Sequence, residues 1–297
     1  MNNIRKLMTN TNLMMNAKFM GWLMLLKGSP HYNKLFPRRY IVLLFIMFSI
    51  AGSALSKDLT INSAINMASH QGMLTQRIVK TYIMIGSDID HTEAHKERDY
   101  SIAMFGMQQF ELEEFAPTKE IGIMLDHVYL LWSEFRLIAV GDPNKMDAYD
   151  LLSRSDELLK TCNKVVVMLE EYSHLDVSKY VHTSGKMGML SQQIAMWYFA
   201  DYWGFPSNGM LSFNIPDKYD ESVKDYHRSF HKLMKSRHNT PEIRDALNIV
   251  KSYWNLPNTK LGDMKKSEMS PELIYKSMEK ILNKMEKVTK MYELLDT

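Results

Sequence analysis

One cysteine, Cys162, stands in 297 residues, so no disulfide can close within the chain. A lone cysteine also excludes a Cys-x-x-Cys-His haem attachment. Proline (9) and glycine (13) are sparse, and no glycine-rich phosphate loop is present. No Gly-x-Ser-x-Gly elbow occurs, and no nucleophile stands beside a base. No strand-like alternation of apolar and polar residues persists anywhere. An enzyme is therefore not expected, and neither is a cofactor.

Acidic residues are missing from the first 56 positions, which hold seven Lys and Arg. An apolar run follows at 40–55, ending in Ala54-Leu55-Ser56. A basic region, an apolar region and small residues before a cut make an export segment over 1–56. Two outcomes stay open: cleavage after Ser56, or an uncleaved anchor that leaves the bulk of the chain outside the cytoplasmic membrane. Either way the expected location is the periplasm, free or tethered to the inner membrane through 40–55. The whole chain carries +2, and the residues after 56 carry 29 basic against 34 acidic side chains, a net of −5. A mildly acidic mature part excludes nucleic acid as a partner.

What is present is a repeat. Gly72-Met-Leu-Thr-Gln76 returns as Gly188-Met-Leu-Ser-Gln192, 116 residues on, and Ile78 and Tyr82 fall on Ile194 and Tyr198. Further along the offset is 122: Thr118, Ile121, Leu125, Val128 and Trp132 fall on Thr240, Ile243, Leu247, Val250 and Trp254. The apolar members are spaced 4, 3 and 4 apart, one stripe of a helix. Two copies of one structural unit follow, 57–176 and 177–297. Ser155, Glu157, Val166 and Glu171 fall on Ser277, Glu279, Val288 and Glu293, a match that charged helical surface also makes by chance.

The fold class expected is all-α: two tandem up-and-down antiparallel bundles of about four helices each, after the export segment. The helices fall near 58–86, 91–115, 118–140 and 145–174, then 177–203, 217–237, 241–255 and 270–295. Thr118, Thr240 and Ser270 read as N-caps, the last two followed by proline at the first helical position. Gly86 reads as a helix stop. Between Tyr172 and Lys179 there is neither Gly nor Pro, which lets the fourth and fifth helices run on as one rod.

The repeated segment carries the candidate site. Asn66, His70 and Arg77 share one helix face, and their counterparts His182, Lys186 and Gln193 do the same. Gln76 and Gln192 end the pentapeptides. A polar stripe with a donor at each level suits a small anion, with Arg77 as the main charge. The alternative is a solvated face, or polar residues that satisfy one another. Ala68 with Gly72, and Ser184 with Gly188, put small residues four apart, which suits close packing. His91 with His95, and His227 with His231, have the spacing of metal-binding pairs but lack a third ligand, so no metal is expected. The 25 Met residues read as core filling.

The segment Ala68-Ser-His-Gln-Gly-Met-Leu-Thr-Gln-Arg-Ile-Val-Lys80 resembles the signature helix of the PilJ-type sensor domain. That domain is the periplasmic N-terminal part of type IV pilus methyl-accepting chemotaxis transducers, with a pattern near A-G-R-Q-R-M-L-S-Q-R-x-x-K. Ser184 to Ile194 resembles the second, tandem copy. The family is related to NarX-type nitrate and nitrite sensors, whose corresponding helix binds the anion through an arginine at a dimer interface. The resemblance implies a sensory protein in signal transduction. Its partners would be a small-molecule or anion ligand, a membrane-bound receptor, kinase or chemotaxis transducer, and a second copy of the chain. Gly72 and Gly188 stand where the pattern has the anion-binding arginine, so nitrate binding by the relatives' mechanism is not expected. The second unit ends with the chain at Thr297, so no output domain of its own is expected. The alternative is a structural or adaptor bundle of the envelope with no small ligand.

Overall fold

The computed structural model describes residues 59–205, 214–254 and 270–295. The front segment 1–56, with its apolar run, lies outside them. The described residues belong to one compact unit and form eight α-helices and no strand. These are α1 (Ile61–Gly86), α2 (His91–Phe115), α3 (Lys119–Ala139), α4 (Lys145–Ser173), α5 (Ser178–Tyr202), α6 (Ile215–Met234), α7 (Pro241–Tyr253) and α8 (Pro271–Glu293). None of them is long and apolar enough to cross a membrane.

Sequence sets the helix starts. Thr118, Thr240 and Ser270 accept from the amides of Ile121, Ile243 and Leu273, three residues on. Each satisfies a donor that the helix itself leaves unpaired. The repeated apolar stripes point inward: Ile121, Leu125, Val128 and Trp132 on α3 are buried, as are Ile243, Leu247, Val250 and Trp254 on α7. Each such side chain contributes roughly 1.5–3 kcal/mol by leaving water.

The fourth and fifth helices are not one rod. α4 ends at Ser173, and His174 takes a left-handed conformation, φ 53°. A non-glycine residue can close a helix in this way at a modest cost. The Ser173 hydroxyl accepts from the Leu175 amide and donates to Ser178 Oγ. Ser178 in turn donates to Asn62 Oδ1 at 2.8 Å, which ties the start of α5 to the start of α1. Gly86 ends α1 as the sequence suggests, and it has a second reason to be glycine. A β-carbon there would stand 2.3 Å from the Trp203 ring, so the glycine makes room for an indole. Gly204, at φ +76°, closes α5 in a conformation that favours glycine.

The two helices that carry the repeated segment, α1 and α5, form the most extensive helix pair of the fold. Asn62 and Ser178 are equivalent in the repeat, and they bond to each other. Ser69 and Gly185 are also equivalent, and a β-carbon on Gly185 would lie 2.7 Å from Ser69 Cβ. Equivalent residues that meet at two levels seven positions apart define a parallel helix pair about a two-fold relation. α1 is flanked by α2 and α4, and α5 by α6 and α8, with α3 against α4 and α7 against α8. We expect Gly185→Val to cost about 1–3 kcal/mol by overpacking this seam. Ser69→Gly in the same chain should recover part of that loss, because the two sites share one contact. Thermal melts of both variants check it, and an unshifted Gly185→Val would contradict the seam.

Candidate functional site

The polar stripe of α1 does hold anions, and they are the protein's own. α8 carries Glu279, Glu286 and Glu293 seven residues apart and runs antiparallel beside α1. Glu293 accepts from Ser63 Oγ at 2.5 Å, from Asn66 Nδ2 at 2.7 Å and from Lys290 Nζ at 2.6 Å. Glu286 lies 3.7 Å from His70 Nε2. Glu279 accepts from Arg77 Nη2 at 2.9 Å and from Lys80 Nζ at 2.7 Å. Asn66, His70 and Arg77 thus each meet one carboxylate of α8, level by level.

Arg77 belongs to a buried ion cluster. Its Nη2 also reaches Glu97 of α2 at 3.0 Å, and Lys80 Nζ reaches the other Glu97 oxygen at 3.1 Å. The Tyr275 hydroxyl donates to Glu97 at 2.6 Å, and Lys80 lies over the Tyr275 ring. Lys80 has a side-chain exposure of 0%. Burial alone would raise the Glu97 carboxyl, but the Lys80 and Arg77 cations hold it down at about 2. Burial works against the Arg77 cation, but Glu279 and Glu97 overcome it and raise Arg77 above its ordinary value. Two cations and two carboxylates balance, and the cluster joins α1 and α2 of the first repeat to α8 of the second. Arg77 is therefore not the free charge for an external anion that the sequence suggested.

The other candidates divide among different surroundings. Asn66 and His70 line a groove of about 500 Å³ between α1, α5 and α8, with Tyr100 and Gln108 of α2 at its side. Ser184 and Gly188 line it as well. His182, Lys186, Ala68 and Gly72 line a cavity of about 20 Å³ on the other side of the α1–α5 seam. The two spaces use equivalent positions, and the second has almost no free volume. There His182 Nδ1 lies 2.7 Å from Glu170 and Nε2 3.2 Å from Asn163, while Lys186 pairs with Asp225 at 3.1 Å. Gln193 accepts from Ser222 at 3.1 Å. The eight candidates do not converge on one site.

Gly72 and Gly188 pack as expected, but against side chains and not a second backbone. β-carbons there would stand 3.0 Å from Leu159 Cδ1 and 3.2 Å from Leu282 Cδ1. Gln76 and Gln192 stand seven residues beyond Ser69 and Gly185, so they continue the α1–α5 seam. They are 1% and 0% exposed, and the Oε1 of each is buried without a hydrogen-bond partner. Among the described residues no three His, Cys, Asp or Glu side chains converge as metal ligands. Burial pushes the Cys162 thiol up to about 12, so it is no nucleophile.

Sequence reasoning missed Glu97, Tyr275 and the acid ladder Glu279, Glu286 and Glu293. The seven-residue spacing of the three acids is the signal that could have found the ladder. Glu97 and Tyr275 carry no such mark, because only the packing of α2 and α8 brings them to Arg77. In comparisons with family models, curated proteins and solved structures, nothing matches the chain.

Proposed function

We propose that this chain is an exported PilJ- or NarX-like sensory module that binds a small ligand in the groove between α1, α5 and α8. A membrane-bound receptor would read that state. The observation that carries the reading is the asymmetry of the seam. Two equivalent spaces flank α1 and α5, yet one is about 500 Å³ and the other about 20 Å³. The larger has the size of a small-molecule site and mixes methionines with a few convergent polar groups. In the related sensors the corresponding helices meet between two chains, and here two copies meet within one.

The test is a thermal-shift screen of small metabolites on the purified full chain and on Met67→Trp, which plugs the groove. A compound that stabilises the wild type and not the plugged chain supports the reading. No stabilising compound, or equal shifts in both proteins, would end it. Export is tested by a reporter active only outside the cytoplasm, fused after Thr297; an inactive fusion contradicts periplasmic location.

One observation favours the adaptor alternative. Ile123, Leu130 and Leu137 on α3, spaced seven apart, are 58%, 63% and 72% exposed. Such a stripe suits a partner helix. Under that reading Leu130→Glu with Leu137→Glu abolishes association with a receptor, and groove variants do not.

A further inference from the structure

The acid ladder of α8 has three rungs, and two are complete. At Glu293, Ser63, Asn66 and Lys290 supply the donors, and its side chain is 4% exposed. At Glu279, Arg77 and Lys80 supply two cations. Among the described residues, the middle rung, Glu286, has only His70 as a partner, at 3.7 Å, and its side chain is 44% exposed. A histidine is a cation only when protonated. Glu286 lines the groove, with Met67, Met73, Leu282 and Met285 as apolar wall and Tyr100 as an aromatic side. Lys290, the one ammonium among the described residues that line it, is held by Glu293 at 2.6 Å.

We propose that the groove takes a small organic cation, an alkylammonium with a short apolar body, seated against Glu286. The proposal rests on reading the groove as a ligand site and names its ligand class. The ammonium completes the middle rung as Arg77 and Lys80 complete the one above. The methylenes lie on the methionines, which adapt to irregular shapes. The face of Tyr100 is a second attraction for a cation. An oxyanion in the same space meets two carboxylates, with its nearest ammonium already paired.

The experiment is calorimetric titration of the full chain with putrescine and with choline, beside butyrate and nitrate. At least one of the two cations should bind at submillimolar Kd, and neither anion should. Glu286→Gln should weaken that binding about tenfold to a hundredfold, the loss of one charge-assisted contact. His70→Arg, which places a fixed cation on the middle rung and gives up the contact of His70 Nδ1 with Gln108, should abolish it while the chain still melts cooperatively. Glu134→Gln, outside the groove, should leave it unchanged. No heat from either cation overturns the proposal, as does cation binding that survives Glu286→Gln. Anion binding that is lost in Met67→Trp overturns the cation but keeps the groove as a ligand site. Cation binding that survives Met67→Trp overturns the groove itself.

Discussion

Glu97→Ala is expected to cost about 3–5 kcal/mol of folding stability, the usual result of removing one partner from a buried ion cluster. Glu97 receives Arg77, Lys80 and the Tyr275 hydroxyl, and Lys80 has no exposed side-chain surface. Its removal leaves two buried cations facing Glu279 alone. The same carboxylate sets an acid limit. Its folded-state value lies near 2, below the ordinary 4.5, so its stabilisation is present above about pH 4.5 and is lost as pH falls toward 2. Urea midpoints of the wild type should fall across that window, and those of Glu97→Gln should fall less steeply. Glu170 and Glu293, also held below their ordinary values, account for slope that remains. A Glu97→Ala protein as stable as wild type would remove the cluster from the account.

The second large effect runs the other way. Gln76→Met together with Gln192→Met should stabilise the chain, by about 1–3 kcal/mol for each orphaned carbonyl oxygen removed from the seam. Methionine keeps the length and volume of glutamine without the desolvated oxygen. For a folded part of this size each kcal/mol raises the melting temperature by roughly 2–4 °C. A lower melting temperature in the double variant would mean that the amides are satisfied. Two equivalent buried amides in a parallel helix pair have a second use. Buried polar residues in coiled coils fix register, and the apolar variant is the one that tests whether this seam needs it.

The helix plan was legible in the residues. Caps at Thr118, Thr240 and Ser270, prolines at the first helical position, and the repeat itself placed all eight helices near their observed bounds. The rod between α4 and α5 was not excluded by sequence, because a left-handed histidine leaves no mark like glycine's. Gly86 does end α1, but no local pattern shows that it also makes room for the Trp203 ring more than a hundred residues away. The candidate stripe was found, and its partners were not. Glu279 and Glu293 were visible as repeat matches and read as solvated charge. Only the antiparallel placement of α8 against α1 makes Glu279 the counterion of Arg77 and Lys80 and Glu293 the acceptor of the Asn66 amide. Charge along a helix tells which face is polar; it does not tell what the neighbouring helix brings to it.

The cations of α1 are held by the protein's own carboxylates. Calorimetric titration of the full chain with nitrate and nitrite should therefore give no saturable heat for either ion up to millimolar concentration, in the wild type and in Arg77→Lys alike. Submillimolar binding of either ion, lost in Arg77→Lys, would show instead that Arg77 is free to hold an external anion.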